Sequence, residues 1–227
     1  MASLAALTLS DARFPGGGHA HSGGLEEAVS RGLLTGVPEL GSFLSGRLRT
    51  AGLVGAAFAA AAVVAATSPA ADWAGLDAEL DARTPAAAQR DASRAQGRAA
   101  LRAARLSWPS PALDALCAVA PRPHHALLVG AVVGIDGGTP AEAAQCVAYL
   151  AISGPASAAV RLLGLDPLAV NAAIVALRPV LDAVVAQAAH AATLPPDRLP
   201  APGAPVLDLM AQAHIHHHGE QVRLFVS

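Results

Sequence analysis

The stretch Asp166-Pro-Leu-Ala-Val-Asn-Ala-Ala-Ile-Val-Ala-Leu177 decides the fold class. An acidic residue precedes a proline, and an apolar run follows. Asp166 can accept the free amide hydrogens of a helix start, and Pro167 suits the first helical position, where no amide bond is lost. Leu168, Val170, Ile174, Leu177 and then Leu181 recur at helical spacing, as do Leu162 and Leu163 before them. The same punctuation stands at Ser68-Pro69, Thr84-Pro85, Ser110-Pro111 and Thr139-Pro140. Thr139-Pro-Ala-Glu142 adds a capping box. Strand-like alternation bounded by turn residues is missing throughout. The best strand candidate, Val129 to Ile135, sits in a context that favours helix. The expectation is an all-α protein, a single-domain bundle of roughly eight to ten helices.

Working outward, the proline-rich stretch from Pro195 to Pro205 reads as a strap. It divides residues 1–194, the bundle, from residues 195–227, the strap and a C-terminal partner-binding tail. Leu209, Met210, Leu224 and Phe225 give that tail an apolar anchor set that can order on a partner. The chain is 53% hydrophobic but 3% aromatic, so Ala, Leu and Val must build the core. The uncharged run Ala51 to Ala66 is nearly long enough to span a bilayer. Its alanine and glycine content gives little insertion energy, so it reads as a buried helix with no membrane role. Met1-Ala-Ser-Leu carries no basic segment of the signal-peptide kind, which points to a cytoplasmic protein.

All fifteen basic residues are arginine. A Walker-type phosphate loop needs a lysine, as does a pyridoxal Schiff base, so neither chemistry is open to this chain. A net charge of -2 gives no footprint for nucleic acid. Cys117 and Cys146 lack metal-ligand spacing and read as buried free thiols.

Three constellations remain. Arg90, Arg94, Arg98 and Arg102 recur every fourth residue, with Arg105 nearby, and fall on one stripe of a helix. The stripe reads either as a solvated face or as a surface for an acidic partner. Gly97 within it costs about 1 kcal/mol relative to alanine, which implies another element packed closely there. His214, His217 and His218 can share a helix face and form a candidate site for nickel or zinc, or a solvated tail. The loop with Arg13, Gly16-Gly17-Gly18, His19 and His21 is built for close backbone approach. It has no nucleophile elbow and no metalloprotease motif. His124, His125 and His190 read as packing or capping histidines.

Three segments together carry a family resemblance. They are Ser10-Asp-Ala-Arg-Phe-Pro-Gly-Gly-Gly-His-Ala-His-Ser-Gly-Gly-Leu-Glu26, Ser93-Arg-Ala-Gln-Gly-Arg98, and Arg223-Leu-Phe-Val-Ser227. In this order they resemble the urease accessory proteins of the F type, and they span essentially the whole chain. His19 stands where that family usually carries an aromatic residue. The resemblance implies a non-enzymatic chaperone with no firmly bound cofactor. Its partners would be the D-type (or H-type) accessory protein, the G-type accessory GTPase and the urease apoprotein, and nickel would be handled by the complex. It also implies a homodimer. Partner-binding residues would come from the matched segments: Arg13, His21, Arg94, Gln96, Arg98, Arg102, Arg223, Leu224 and Phe225. Two rival roles are a nickel carrier acting through the C-terminal histidines and a GTPase regulator that inserts an arginine such as Arg98.

Overall fold

The computed structural model describes residues 3–17 and 21–217. These form α1 (Leu4–Ser10), α2 (Leu25–Ser30), α3 (Val37–Arg47), α4 (Leu53–Ala66), α5 (Trp73–Ala82), α6 (Ala87–Ser107), α7 (Pro111–Val119), α8 (His125–Ile135), α9 (Pro140–Leu163), α10 (Pro167–Ala176), α11 (Arg178–Ala191) and α12 (Pro205–His217). No strand occurs among the described residues, and Val129–Ile135 belongs to α8. A π-helical turn at Leu48–Gly52 joins α3 to α4 as one rod, so there are eleven separate helices among the described residues. The count exceeds the expected range because α1 and α2 hold only seven and six residues, too short to show a period.

α4 is the axis of the bundle. Its sequence is apolar on every side, as a helix surrounded by others must be. Phe58, Ala59, Ala62 and Val63 join a core with α1, α5, α6, α7 and α8. Leu53, Ala56, Ala57 and Ala60 join a second core with α2, α3, α9, α10 and α11. The contact with α8 is set by Gly130 and Gly134, one turn apart. A Cβ on Gly130 would lie 2.1 Å from the Ala59 carbonyl oxygen, and one on Gly134 would lie 2.9 Å from that of Val63. Glycine is therefore what lets these two backbones meet.

Two helices, Val37–Ala66 and Pro140–Leu163, are long and apolar enough to cross a membrane by length and composition. The bent pair α10 and α11 passes the same test together. In this fold 72% of the most apolar window of Val37–Ala66 lies inside the bundle, so its apolarity is used by the core.

Three of the five cap signals act as expected. Thr139 and Glu142 form the capping box, and Glu142 also accepts the Ser3 amide, which ties α1 to α9. Ser110 and Asp166 accept from Ala112 and Leu168. The other two differ. Ser68-Pro69 makes a turn, and Asp72 caps α5 instead. Thr84 gives its hydroxyl to the Leu80 carbonyl of the preceding helix, so α6 begins later, at Ala87.

The strap is seated on the bundle. Leu199 is buried, and Arg83 donates to the carbonyls of Asp197 and Leu199. α12 buries Leu207, Met210 and Ala211, and Gln89 of α6 donates to the Leu207 carbonyl. Both cysteines are buried free thiols.

Candidate functional site

The glycine turn before α2 folds around a single guanidinium. Gly23 and Gly24 have φ of 62° and 90°, a region that disfavours residues with a Cβ. A Cβ on Gly23 would also lie 2.7 Å from Cζ of Arg47. Arg47 ends α3 and donates from Nη1 to the Gly23 carbonyl and from Nε to the Ala151 carbonyl, both at 2.8 Å. The second bond has a covalent cause. Pro155 lies inside α9 and has no amide hydrogen, so the carbonyl four residues earlier, Ala151, loses its helical donor. Arg47 supplies the replacement.

A second polar junction joins α5, α6 and the segment before α8. Gly97 sits against the Pro123 carbonyl, where a Cβ would come within 1.9 Å. This close approach is the packing that the helix-interior glycine implied. One turn earlier, Ser93 Oγ lies 3.0 Å from Nδ1 of His124 and accepts the amide of His125. Nε2 of His124 lies 2.9 Å from Asp81 Oδ1. Arg94 binds Asp81 and Asp77, and donates to the Arg122 carbonyl. The protonation pattern that satisfies every group has the Ser93 hydroxyl donating to Nδ1 and Nε2–H donating to Asp81. Desolvation, together with the Arg94 charge, pushes the His124 pKa down and keeps the ring neutral. Ser93, His124 and Asp81 have the composition of a hydrolase triad. Arg94 already neutralises the Asp81 carboxylate, however, and Ser93 Oγ is occupied by a backbone amide. The junction is suited to holding three segments together.

Between these two junctions lies a cavity of about 630 Å³, bordered by the N-terminal loop, α6, α8, α9 and α12. Its wall includes His21, Arg47, Ser93, Gln96, His125, Tyr149 and Asp208. Burial, with a smaller contribution from the neighbouring His21, pushes His125 down to about 4.

The expected site residues therefore separate. His21 and Gln96 meet at the cavity. Arg13 is exposed and paired with Asp11 at 2.6 Å. The arginine row divides, because each four-residue step turns about 40° around a helix. Arg90 donates to the Thr84 and Pro85 carbonyls, and Arg94 is used inside the junction. Arg98 and Arg102 are exposed and border a shallow depression of about 240 Å³ together with Arg122. His214 and His217 fall on the last turn of α12, and their side chains lie outside what is described; His218, Arg223, Leu224 and Phe225 lie outside the described residues, as does His19. Among the described residues no three His, Cys, Asp or Glu side chains are placed to hold a metal ion.

Arg47 and Asp81 were not singled out by sequence reading, Ser93 stood only within a matched segment, and His124 was read as a packing or capping residue, which is how the junction uses it. Two local signals would have found them: a proline inside the α9 sequence and a serine one turn before the helix-interior Gly97.

Residues 35–178 match the model of the UreF family. The urease accessory protein UreF of Mycolicibacterium vanbaalenii is 46% identical over 216 residues, which cover 95% of this chain and 96% of that protein. The UreF of Mycobacterium sp. strain JLS is 45% identical over 208 residues, 92% of each chain. The UreF of Mycobacterium tuberculosis strain H37Ra is 43% identical over 229 residues, the full length of both. The likeness thus runs from the N-terminal glycine turn to the C-terminal segment, and the chain belongs to the UreF family of urease accessory proteins.

Proposed function

We propose that this chain is a non-enzymatic scaffold in urease maturation. It acts in the cytoplasm with the D-type (or H-type) accessory protein to recruit the accessory GTPase to the urease apoprotein, and nickel is cargo of that assembly. The observation that carries the reading beyond family membership is an apolar helix with little over it. α10 buries only Val170, while Leu168 and Val175 are 80% and 63% exposed, and it carries no charged side chain. Exposed apolar surface of this kind suits a protein contact, including one between two copies of the chain. Arg98, Arg102 and Arg122 offer a separate, cationic surface to an acidic partner.

Removal of this chain from cells that make the cognate urease tests the reading. Urease subunits should accumulate without activity at limiting nickel, and the chain should co-purify with the D-type protein and the GTPase. Full urease activity at limiting nickel without the chain contradicts the proposal. A complex that forms normally but fails to activate urease once the C-terminal histidines are removed, even at saturating nickel, would assign it the role of nickel carrier instead.

A further inference from the structure

Arg47 is a half-buried cation with no carboxylate partner among the described residues. Its two hydrogen bonds go to the carbonyls of Ala151 and Gly23, which are dipoles with no net charge. No carboxylate among the described residues lies within 4.0 Å of it. Nη2 makes no hydrogen bond there. A buried charge is costly unless it is paired, and arginine cannot shed its proton at neutral pH. Burial does push its pKa down, to about 10, which leaves the group fully charged. Arg83, the other enclosed guanidinium on the cavity wall, is paired with Glu79. Asp11 is held by Arg13, so it does not neutralise Arg47.

The rest of the wall defines what fits. Leu9, Phe14, Val54, Val147 and Leu150 make much of it apolar. The volume of about 630 Å³ lies within the usual range for small-molecule sites. The free edge of one guanidinium fits a single planar carboxylate, and Asp208 on the same wall, its pKa raised by burial, disfavours an anion of higher charge. We propose that the cavity binds a small monocarboxylate with an apolar body, its carboxylate on the unused N–H groups of Arg47 and its body against the apolar wall. This inference does not depend on the scaffold role.

The test uses the full chain, with benzoate and hexanoate as probes. Benzyl alcohol serves as the neutral counterpart of benzoate, with inorganic phosphate and with chloride at matched ionic strength as controls. Calorimetry should show saturable binding of at least one carboxylate, with benzyl alcohol and phosphate at least tenfold weaker. Arg47→Met should weaken carboxylate binding at least tenfold. That variant removes a donor to two carbonyls and can fail to fold, so Gly154→Leu provides a second test. Gly154 lines the cavity, and a Cβ there would meet only the His21 carbonyl, at 3.9 Å. The added side chain should fill the cavity, keep the fold and abolish binding while Arg47 remains. The proposal is overturned if neither carboxylate binds better than chloride, if benzyl alcohol binds as well as benzoate, or if the folded variants bind like the parent.

Discussion

The seam between α4 and α8 and the wall of the cavity are both built from small residues, with opposite results. At the seam, Gly130 and Gly134 bring one backbone onto the carbonyls of the other, and no space or unpaired charge is left between them. At the cavity, glycine admits polar groups instead: Gly23 on the wall receives the face of a guanidinium, and Gly97 in the adjoining junction receives a carbonyl. Alanine and glycine give close packing where two helices meet over successive turns. Where loops meet helices, side chains this small leave the gap open, and hydrogen bonds must fix the geometry. The seam should therefore respond to added volume, and the cavity wall to changes in hydrogen bonding and charge.

The largest effect is expected at the seam. Gly130→Ala places a methyl against backbone that cannot rotate away, and should cost about 3 kcal/mol in urea denaturation. A loss under about 1 kcal/mol would mean that α8 can slide and that the seam is not tight. Gly97→Ala should cost about 2 kcal/mol: both glycines regain about 1 kcal/mol of helix propensity, but the Pro123 carbonyl belongs to the connection before α8, which yields more readily than Ala59 and Ala62 within α4. It should also displace His124, visible as a changed imidazole resonance. A stabilised variant with an unchanged resonance would break the contrast between propensity and packing. The smallest effect at neutral pH concerns His125, whose contribution appears only on acidification. His125 is held down to about 4 in the fold against 6.5 when unfolded. Between these values the unfolded chain binds a proton that the folded chain refuses, so stability is fully present above pH 6.5 and declines as pH falls toward 4. His125→Asn should flatten that part of the stability curve; an unaltered slope would remove His125 as a cause.

The helical class was legible because capping chemistry is local. Thr139, Ser110 and Asp166 cap helices within a few residues of themselves. Thr84 misled for the same reason: its hydroxyl had a nearer carbonyl at Leu80. The candidate site was mostly hidden. Arg47 meets Ala151 across 104 residues, and His124 meets Asp81 across 43, distances over which spacing carries no signal. Gly97 could be read because a glycine inside a helix is costly and needs a cause. The arginine row was read as one stripe, but the stripe turns as it climbs. Arg94 faces an acidic junction, while Arg98 and Arg102 face outward.

That division separates the groups that hold the fold from those we propose are offered to partners, and one paired measurement tests it directly. Thermal stability and co-purification with the D-type protein and the GTPase would be measured for Arg94→Met and for the double variant Arg98→Glu, Arg102→Glu. The account predicts a lower melting temperature for Arg94→Met, because the acids of the junction lose their cation. It predicts an unchanged melting temperature but a lost or weakened complex for the double variant. A double variant that assembles like the parent, or an Arg94→Met chain that keeps its stability and fails only in assembly, would contradict the account.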